Sequence, residues 1–212
     1  AQQLWQRILA FYRRYPRWYF PVGAVVGVGL LGFLTILTVS LLIYFEALGP
    51  LPGYPELRAI QNHNASEVYS EDGVLLGKYY VENRINADFE EISPNIINAL
   101  VATEDARFFE HGGIDARAAA RVLVKSVLLM DESSGGGSTL SQQLAKNLYP
   151  RQEYMMLSMV VNKLREMMVA RRLEKVYHKE ELLRLYLNTV SFGENIFGIK
   201  VAAQRFFNKA PE

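Results

Sequence analysis

The chain contains no cysteine. That excludes a disulfide framework, a thiolate metal site and a cysteine nucleophile. Histidine is scarce as well: His63, His111 and His178 are too scattered to form a metal-ligand motif, and His111 reads as a structural hydrogen-bonding residue. An excess of one charge sign is also missing. The 23 Lys and Arg against 22 Asp and Glu leave a net charge of +1, which gives no basic footprint for nucleic acid. With 50% apolar and 21% charged residues, the composition excludes a disordered chain.

What the chain does have is one long uncharged run. Residues 18–45 are 28 consecutive positions without a charge, with Val22–Tyr44 as the apolar core. About 20 helical residues cross a bilayer core of roughly 30 Å, so the run predicts a transmembrane helix over 21–45. A buried core helix and a signal peptide are the competing readings. A signal peptide has an apolar region of about 7–15 residues ending at a small-residue cleavage site; this run is longer, and no A-x-A follows it. Arg7, Arg13, Arg14 and Arg17 precede the span with no acid among them, which predicts residues 1–20 as a basic cytoplasmic segment and the remainder as external. Trp18, Tyr19 and Phe20 at one end, and Tyr44 and Phe45 at the other, suit the two membrane interfaces. Gly23-x-x-x-Gly27 is a weak helix-packing signal.

Without the four N-terminal arginines, the chain carries 19 basic and 22 acidic residues. Within that acidic part, Arg151–Lys179 holds seven basic residues against three acids. A local cationic stretch suggests either an anionic ligand or a solvated helix face. Residues 46–66 hold three of the eight prolines and read as a linker or extended stalk. Residues 67–212 then form one external domain. Val68-Tyr69, Glu71-Asp72-Gly73 and Val74–Tyr80 predict a hairpin with Asp-Gly in the turn. From Ser93 the pattern is helical. Ser93 is a candidate cap before Pro94, with Ile96, Ile97, Leu100 and Val101 at helical spacing. Asp115 is placed to cap a helix over Ala116–Met130, which reads either as a core helix or as a segment lying on the membrane. A Gly/Ser loop over Asp131–Ser141 precedes a helical pattern at Gln142–Leu148. Met156–Val176 reads as an amphipathic helix with Leu157, Val160, Val161, Leu164, Met168 and Val169 inward, and His178–Leu187 as another. The fold class expected is therefore mainly α, with a small β-hairpin, behind one transmembrane helix.

Three features carry chemistry. Glu104-Asp105 ends an apolar helix and is followed by Arg107, two Phe, His111 and Gly112-Gly113. A carboxylate leaving an apolar face into a Gly-bounded turn suits a general acid or base, although acid pairs often mark only a solvated helix end. Gly135–Asn147 (GGGSTLSQQLAKN) is a Gly-rich loop opening a helix. It offers N–H groups, the Ser138 and Thr139 hydroxyls, the Gln142 and Gln143 amides, and Lys146, as a phosphate site would. It is not a P-loop, because lysine does not follow the glycines directly, and a flexible linker is the alternative. Glu166 sits in the cationic helix beside Lys163 and Arg165, placed either to face Glu104 across a cleft or to join a surface salt-bridge face.

Together these resemble the peptidoglycan glycosyltransferase domain of class A penicillin-binding proteins and monofunctional glycosyltransferases. Five motifs recur in order. E-D-x-x-F-x-x-H-x-G is carried by Glu104, Asp105, Phe108, His111 and Gly113. G-x-S-T-[IL]-[TS]-Q-Q-x-x-K-N runs through Gly136, Ser138, Thr139, Gln142, Gln143, Lys146 and Asn147. The third is matched by Lys163, Glu166, Ala170, Leu173 and Glu174. The fourth is matched by Lys179, Leu182, Leu183, Tyr186, Leu187 and Asn188, and the fifth by Gly198, Ala202, Ala203 and Phe207. Asn162 stands where the family usually has Arg, Arg184 where it has Glu, and Phe206 where it has Tyr.

The resemblance implies a lysozyme-like fold over 67–212, broken off at its C-terminal end. The implied reaction polymerises lipid II into β-1,4 glycan strands, with inversion and release of undecaprenyl pyrophosphate. By motif position Glu104 is the base and Asp105 shapes its setting. Glu166 organises the pyrophosphate end. Arg107, Lys146, Lys163 and Arg165 would contact phosphates, with Arg151 a weaker candidate, and Ser138, Gln142 and Gln143 would line the donor side. The resemblance leaves room for Mg2+ or Mn2+ at the pyrophosphate, but no metal-ligand motif marks a site. The partners implied are lipid II, the growing strand, the membrane, and cell-wall synthesis or membrane proteins; nucleic acid is not among them. The location implied is the inner membrane. No S-x-x-K, S-D-N or K-T-G occurs, so no transpeptidase site is expected in this stretch. The alternatives are a lysozyme-like glycan hydrolase, against which the Lys146 and Lys163–Arg165 cations argue, and a non-enzymatic scaffold.

Overall fold

The computed structural model describes residues 6, 19–80, 82–128, 136–154 and 157–212. The four N-terminal arginines, Trp18, residues 129–135 and Met156 lie outside the described residues. The chain divides into two compact units, Ala1–Pro50 and Leu51–Glu212.

In the first unit α1 spans Tyr19–Tyr44 without a charged residue. Most of its large apolar side chains are exposed, Val25, Val28 and Leu31 among them. Its backbone satisfies its own hydrogen bonds, and the Thr35 hydroxyl donates to the Leu31 carbonyl at 2.9 Å, so this hydroxyl needs no outside partner. It is the one helix among the described residues long and apolar enough to cross a membrane.

The second unit opens with a short helix, α2 (Tyr54–Arg58), inside the stretch read from sequence as an extended linker. The extended reading fails here because Leu57 is fully buried. Arg172 also donates to the Pro52 carbonyl at 2.8 Å, and the Tyr177 hydroxyl to the Leu57 carbonyl at 2.5 Å. β1 (Ser66–Tyr69) and β2 (Leu75–Tyr79) form the expected antiparallel hairpin, with Ser66 opposite Tyr79 and Gly73 at φ +82° in the turn. β3 (Asn83–Arg84) pairs in parallel with β4 (Ile196–Phe197), a two-residue contact too short to show as a pattern.

α3 runs Pro94–Glu104. Ser93 occupies its cap position, but its hydroxyl does not cap; its N–H donates instead to the Pro211 carbonyl at 2.7 Å. α4 is Ala116–Leu128, and Asp115 does cap it, accepting from the N–H groups of Arg117 and Ala118 at 2.9 Å each. None of residues 116–122 is buried, which removes the core-helix reading for that part. α5 spans Leu140–Leu148, starting earlier than expected because Thr139 is its cap and accepts from Gln142 N. α6 is Ser158–Val176, α7 Lys179–Thr189 and α8 Ile199–Phe207.

α5, α6 and α7 supply most of the core: Leu140, Leu144, Val161, Val169, Leu173, Leu182 and Leu183 are all at most 3% exposed. Burying each Leu is worth about 1.5–3 kcal/mol. The buried stripe of α6 differs from the expected one. Leu157 is half exposed, and the stripe runs Val161, Asn162, Glu166, Val169, Ala170 and Leu173. Its C-terminal half is apolar core, while its N-terminal half puts an amide and a carboxylate inside. The domain is thus mainly α with few short strands.

Candidate active site

Three elements converge on a cleft of about 420 Å³: the C-terminal end of α3, the turn after it, and the loop leading into α5. Glu104, Asp105 and Arg107 line one side and Gly136, Ser138 and Thr139 the other.

Glu104 is the last residue of α3, and its side chain is exposed. Gln143 Nε2 donates to Glu104 Oε2 at 2.8 Å, and the Tyr186 hydroxyl donates to Gln143 Oε1 at 3.0 Å. The amide is therefore held from behind by α7 and orients the carboxylate. Burial, and then the charge of Glu104, push the Tyr186 phenol above its ordinary value, so it remains a donor. Among the described residues, no cation pairs with Glu104.

Asp105 follows immediately but is buried. It accepts from His111 Nε2 at 3.0 Å and from the N–H of Leu140, the first residue of α5, at 3.0 Å. His111 Nδ1 in turn accepts from Gly113 N at 3.3 Å, so the ring is assigned its proton on Nε2. Asp105 thereby ties the turn to α5 and sets the position of Glu104. Gly113 is fixed by geometry: its φ is +88°, and a Cβ there would meet the Ala170 carbonyl oxygen at 2.9 Å. Its own carbonyl accepts from Thr139 Oγ1 at 2.8 Å and Gln142 Nε2 at 3.2 Å. Below it, Lys179 Nζ lies 4.2 Å from the centroid of the fully buried Phe108 ring and donates to the His111 carbonyl at 2.7 Å.

Arg107 forms a two-point pair with Asp115, through Nε at 3.0 Å and through Nη2. Burial pushes the Asp115 carboxyl up, but the Ala118 N–H, Arg107 and the Arg117 N–H together hold it below its usual value. Arg107 is thus held at the cleft wall.

The Ser138 side leads to the second carboxylate. Lys163 Nζ donates to Ser138 Oγ at 2.7 Å and reaches Glu166 Oε2 at 3.4 Å. Arg151 Nε donates to Glu166 Oε1 at 2.8 Å, and this contact holds the guanidinium above its ordinary pKa. Glu166 is only 6% exposed, with a cation on each oxygen. That donor set does not suit a divalent cation at Glu166, because both oxygens are already occupied by positive groups.

The structure therefore brings Glu104, Asp105, Arg107 and Ser138 to one cleft, places Gln143 behind Glu104, and joins Lys163 and Glu166 through Ser138. Gln142 does not line the cleft; it is buried against Gly113, and its Oε1 has no partner among the described residues. Lys146 is exposed one turn beyond Gln143 on α5, and Arg165 is half-buried; neither lines the cleft. Sequence reasoning passed over Arg121, which lines the cleft from α4. Its spacing of six from the Asp115 cap was the one available signal. Tyr186, a motif match in the sequence, is the side chain behind Gln143, and Arg151, the weaker phosphate candidate, meets Glu166.

The domain is mainly α, with Glu104 exposed at a cleft and Glu166 holding cations beyond it. The comparisons name its family. The family model described as Transglycosylase matches residues 72–212, and the chain belongs to that family. Penicillin-binding protein 1A of Vibrio cholerae is 36% identical over 166 residues, covering 78% of this chain and 20% of the relative. Penicillin-binding protein 1F of Bacillus subtilis is 37% identical over 147 residues, covering 69% and 20%. Penicillin-binding protein 1A of Escherichia coli is 35% identical over 159 residues, covering 75% and 18%. The chain spans about a fifth of the length of these relatives.

Proposed function

We propose that this chain is a membrane-anchored peptidoglycan glycosyltransferase that polymerises lipid II into β-1,4 glycan strands. The observation that carries the reading is the cleft itself, with Glu104, exposed and without a cation among the described residues, on one wall and Ser138, backed by Lys163 and Glu166, on the other. Glu104 takes the proton of the acceptor sugar hydroxyl as that oxygen attacks the donor anomeric carbon. The bond to the undecaprenyl pyrophosphate breaks on the opposite face, which inverts the centre. The leaving diphosphate is stabilised by the cations at the Ser138 end. Asp105 and Gln143 position Glu104, and Arg107 with Arg121 flanks the cleft with positive charge. Lys146 and Arg165 are assigned as outer phosphate contacts.

Both substrates carry lipid tails, which gives the anchor its purpose. On this reading residues 1–20 are cytoplasmic, 21–45 span the inner membrane, and the catalytic domain lies outside. Lipid II polymerisation by the purified chain in detergent tests the proposal. Glu104→Gln should fold as the parent does and lose about 10²–10⁴-fold in rate. Near-parental polymer from that variant would remove Glu104 from the mechanism. Release of sugars from finished cell wall, with no polymer from lipid II, would favour the hydrolase instead.

A further inference from the structure

A second cavity, of about 300 Å³, is walled by the loop after α2, the turn after β3, and α7. None of its lining residues lines the catalytic cleft. Arg184, which lines it, is two positions from Tyr186 on α7, about 200° around the helix. The cavity is therefore on the side of α7 away from the tyrosine that holds Gln143. Four of its seven lining side chains are amides, Gln61, Asn62, Asn86 and Asn188, and Arg184 is the one charge.

The amides are oriented by their neighbours. Thr189 Oγ1 donates to the Leu185 carbonyl at 2.7 Å, so the Asn62 atom 2.9 Å from that hydroxyl is the nitrogen. Asn62 Oδ1 is left as an acceptor. Asn86 Nδ2 donates to the Asn62 carbonyl at 2.6 Å, and Asn86 Oδ1 is buried with no partner among the described residues. Asn188 is spent on the backbone, bonding Ala87 N at 2.9 Å and the Ala87 carbonyl at 2.8 Å. The wall is thus fixed, and what it has left over is acceptors.

Arg184 is half-buried and forms no ion pair among the described residues. Glu180 and Glu181 precede it by four and three positions, but neither pairs with it; Glu181 accepts from His178 N at 3.0 Å instead. The resembling family usually has Glu here, so the charge of this wall is reversed in this chain. A guanidinium without a counter-ion favours a planar anion that takes its fork at two points, which a carboxylate does. Acceptors beside it favour an N–H close to that carboxylate. The last residue of a peptide carries both, an amide N–H and a carboxylate on one carbon. The cavity is at the low end of the roughly 300–1,000 Å³ of ligand pockets, and its apolar lining is Ile60 and Leu185, so the side chain on that carbon must be small.

We propose that this cavity binds the C-terminal end of a peptide, with the carboxylate on Arg184, the last amide N–H on Asn62 Oδ1, and a small side chain against Ile60 and Leu185. That end group has two sources, a cell-wall peptide ending in D-alanine or the C-terminus of another protein. Calorimetric titration of the full chain in detergent with N-acetyl-alanyl-alanine tests the site. Saturable binding is expected. The same dipeptide with its carboxylate converted to an amide should bind about 10–100-fold more weakly, because a charge-assisted pair is lost. Arg184→Gln should cost a similar factor at the parental thermal midpoint, and Arg184→Lys should fall between, since it keeps the charge without the fork. The acid and amide are compared on the parent chain, so that arm stands even where a variant folds poorly. Tighter binding of the D,D dipeptide assigns the source to cell-wall peptides, and tighter binding of the L,L form to protein C-termini; either, or equal binding of both, sustains the site. No saturable binding at millimolar dipeptide, equal affinity for acid and amide, or indifference to Arg184→Gln overturns it. No arm reads polymer formation, so failure of the glycosyltransferase reading would leave this result standing.

Discussion

Glu104 at the cleft and Glu166 beyond it are the same residue type in opposite settings. Glu104 ends a helix, faces solvent, and has one neutral amide against it, itself held by the Tyr186 hydroxyl. Glu166 sits mid-helix on a buried stripe with Arg151 on one oxygen and Lys163 on the other. A carboxylate that is to receive a proton is best left without a cation, because a neighbouring positive charge favours the ionised form and weakens the base. A carboxylate that is to order cations must be buried between them, because the cost of its desolvation is then offset by both contacts. Settings that a motif cannot separate are thus separated by burial and partner charge.

The sharpest way to break this contrast is to neutralise each acid in turn. Glu104→Gln should remove the chemical step with little effect on binding of undecaprenyl diphosphate, the loss being the 10²–10⁴-fold given above. Glu166→Gln should instead weaken that binding and lower kcat/KM by about 10²-fold, because Arg151 and Lys163 lose their common anchor. Equal effects of the two variants on diphosphate binding would erase the distinction. A smaller effect is expected at the hinge between the two sides. Gly113→Ala should lower stability by about 1–3 kcal/mol from its left-handed backbone alone, with more added by the Ala170 contact. Denaturant unfolding reads this, and an unchanged midpoint would mean that the turn can move. The smallest effect concerns Arg107. Its partner Asp115 has a depressed pKa, so the stabilisation is present above the unfolded value of about 3.9 and is lost as pH falls through the lower folded value. Thermal midpoints measured from pH 7 down to pH 2 should fall more gently for Asp115→Asn than for the parent. Parallel curves would show that the pair adds nothing.

The helices were legible where periodicity and caps agreed. Asp115 before Ala116 is a cap both in pattern and in structure, and the Asp-Gly turn between Tyr69 and Leu75 is a hairpin in both. Legibility failed where a residue's partner is distant in sequence. Ser93 looks like a cap, yet its N–H is taken by Pro211 and its hydroxyl does not cap. Gln142 and Gln143 are adjacent and chemically identical, but successive helical positions point about 100° apart. One amide is therefore buried against Gly113 and the other reaches Glu104. Proline in residues 46–66 suggested an extended chain, but burial of Leu57 and the Arg172 and Tyr177 contacts fold part of it onto the domain.

From its residues alone the chain declares an uncharged helix long enough for a bilayer, a mainly helical domain behind it, and the ordered motifs of a glycosyltransferase family. Those are properties of runs, spacings and local hydrogen bonds, which a linear chain carries with it. Only the folded domain decides which acid is exposed and which is clasped between cations, which glutamine holds Glu104, and that Arg151 meets Glu166. Charge, burial and close approach arise between segments far apart in the chain, and they come into being when helices pack.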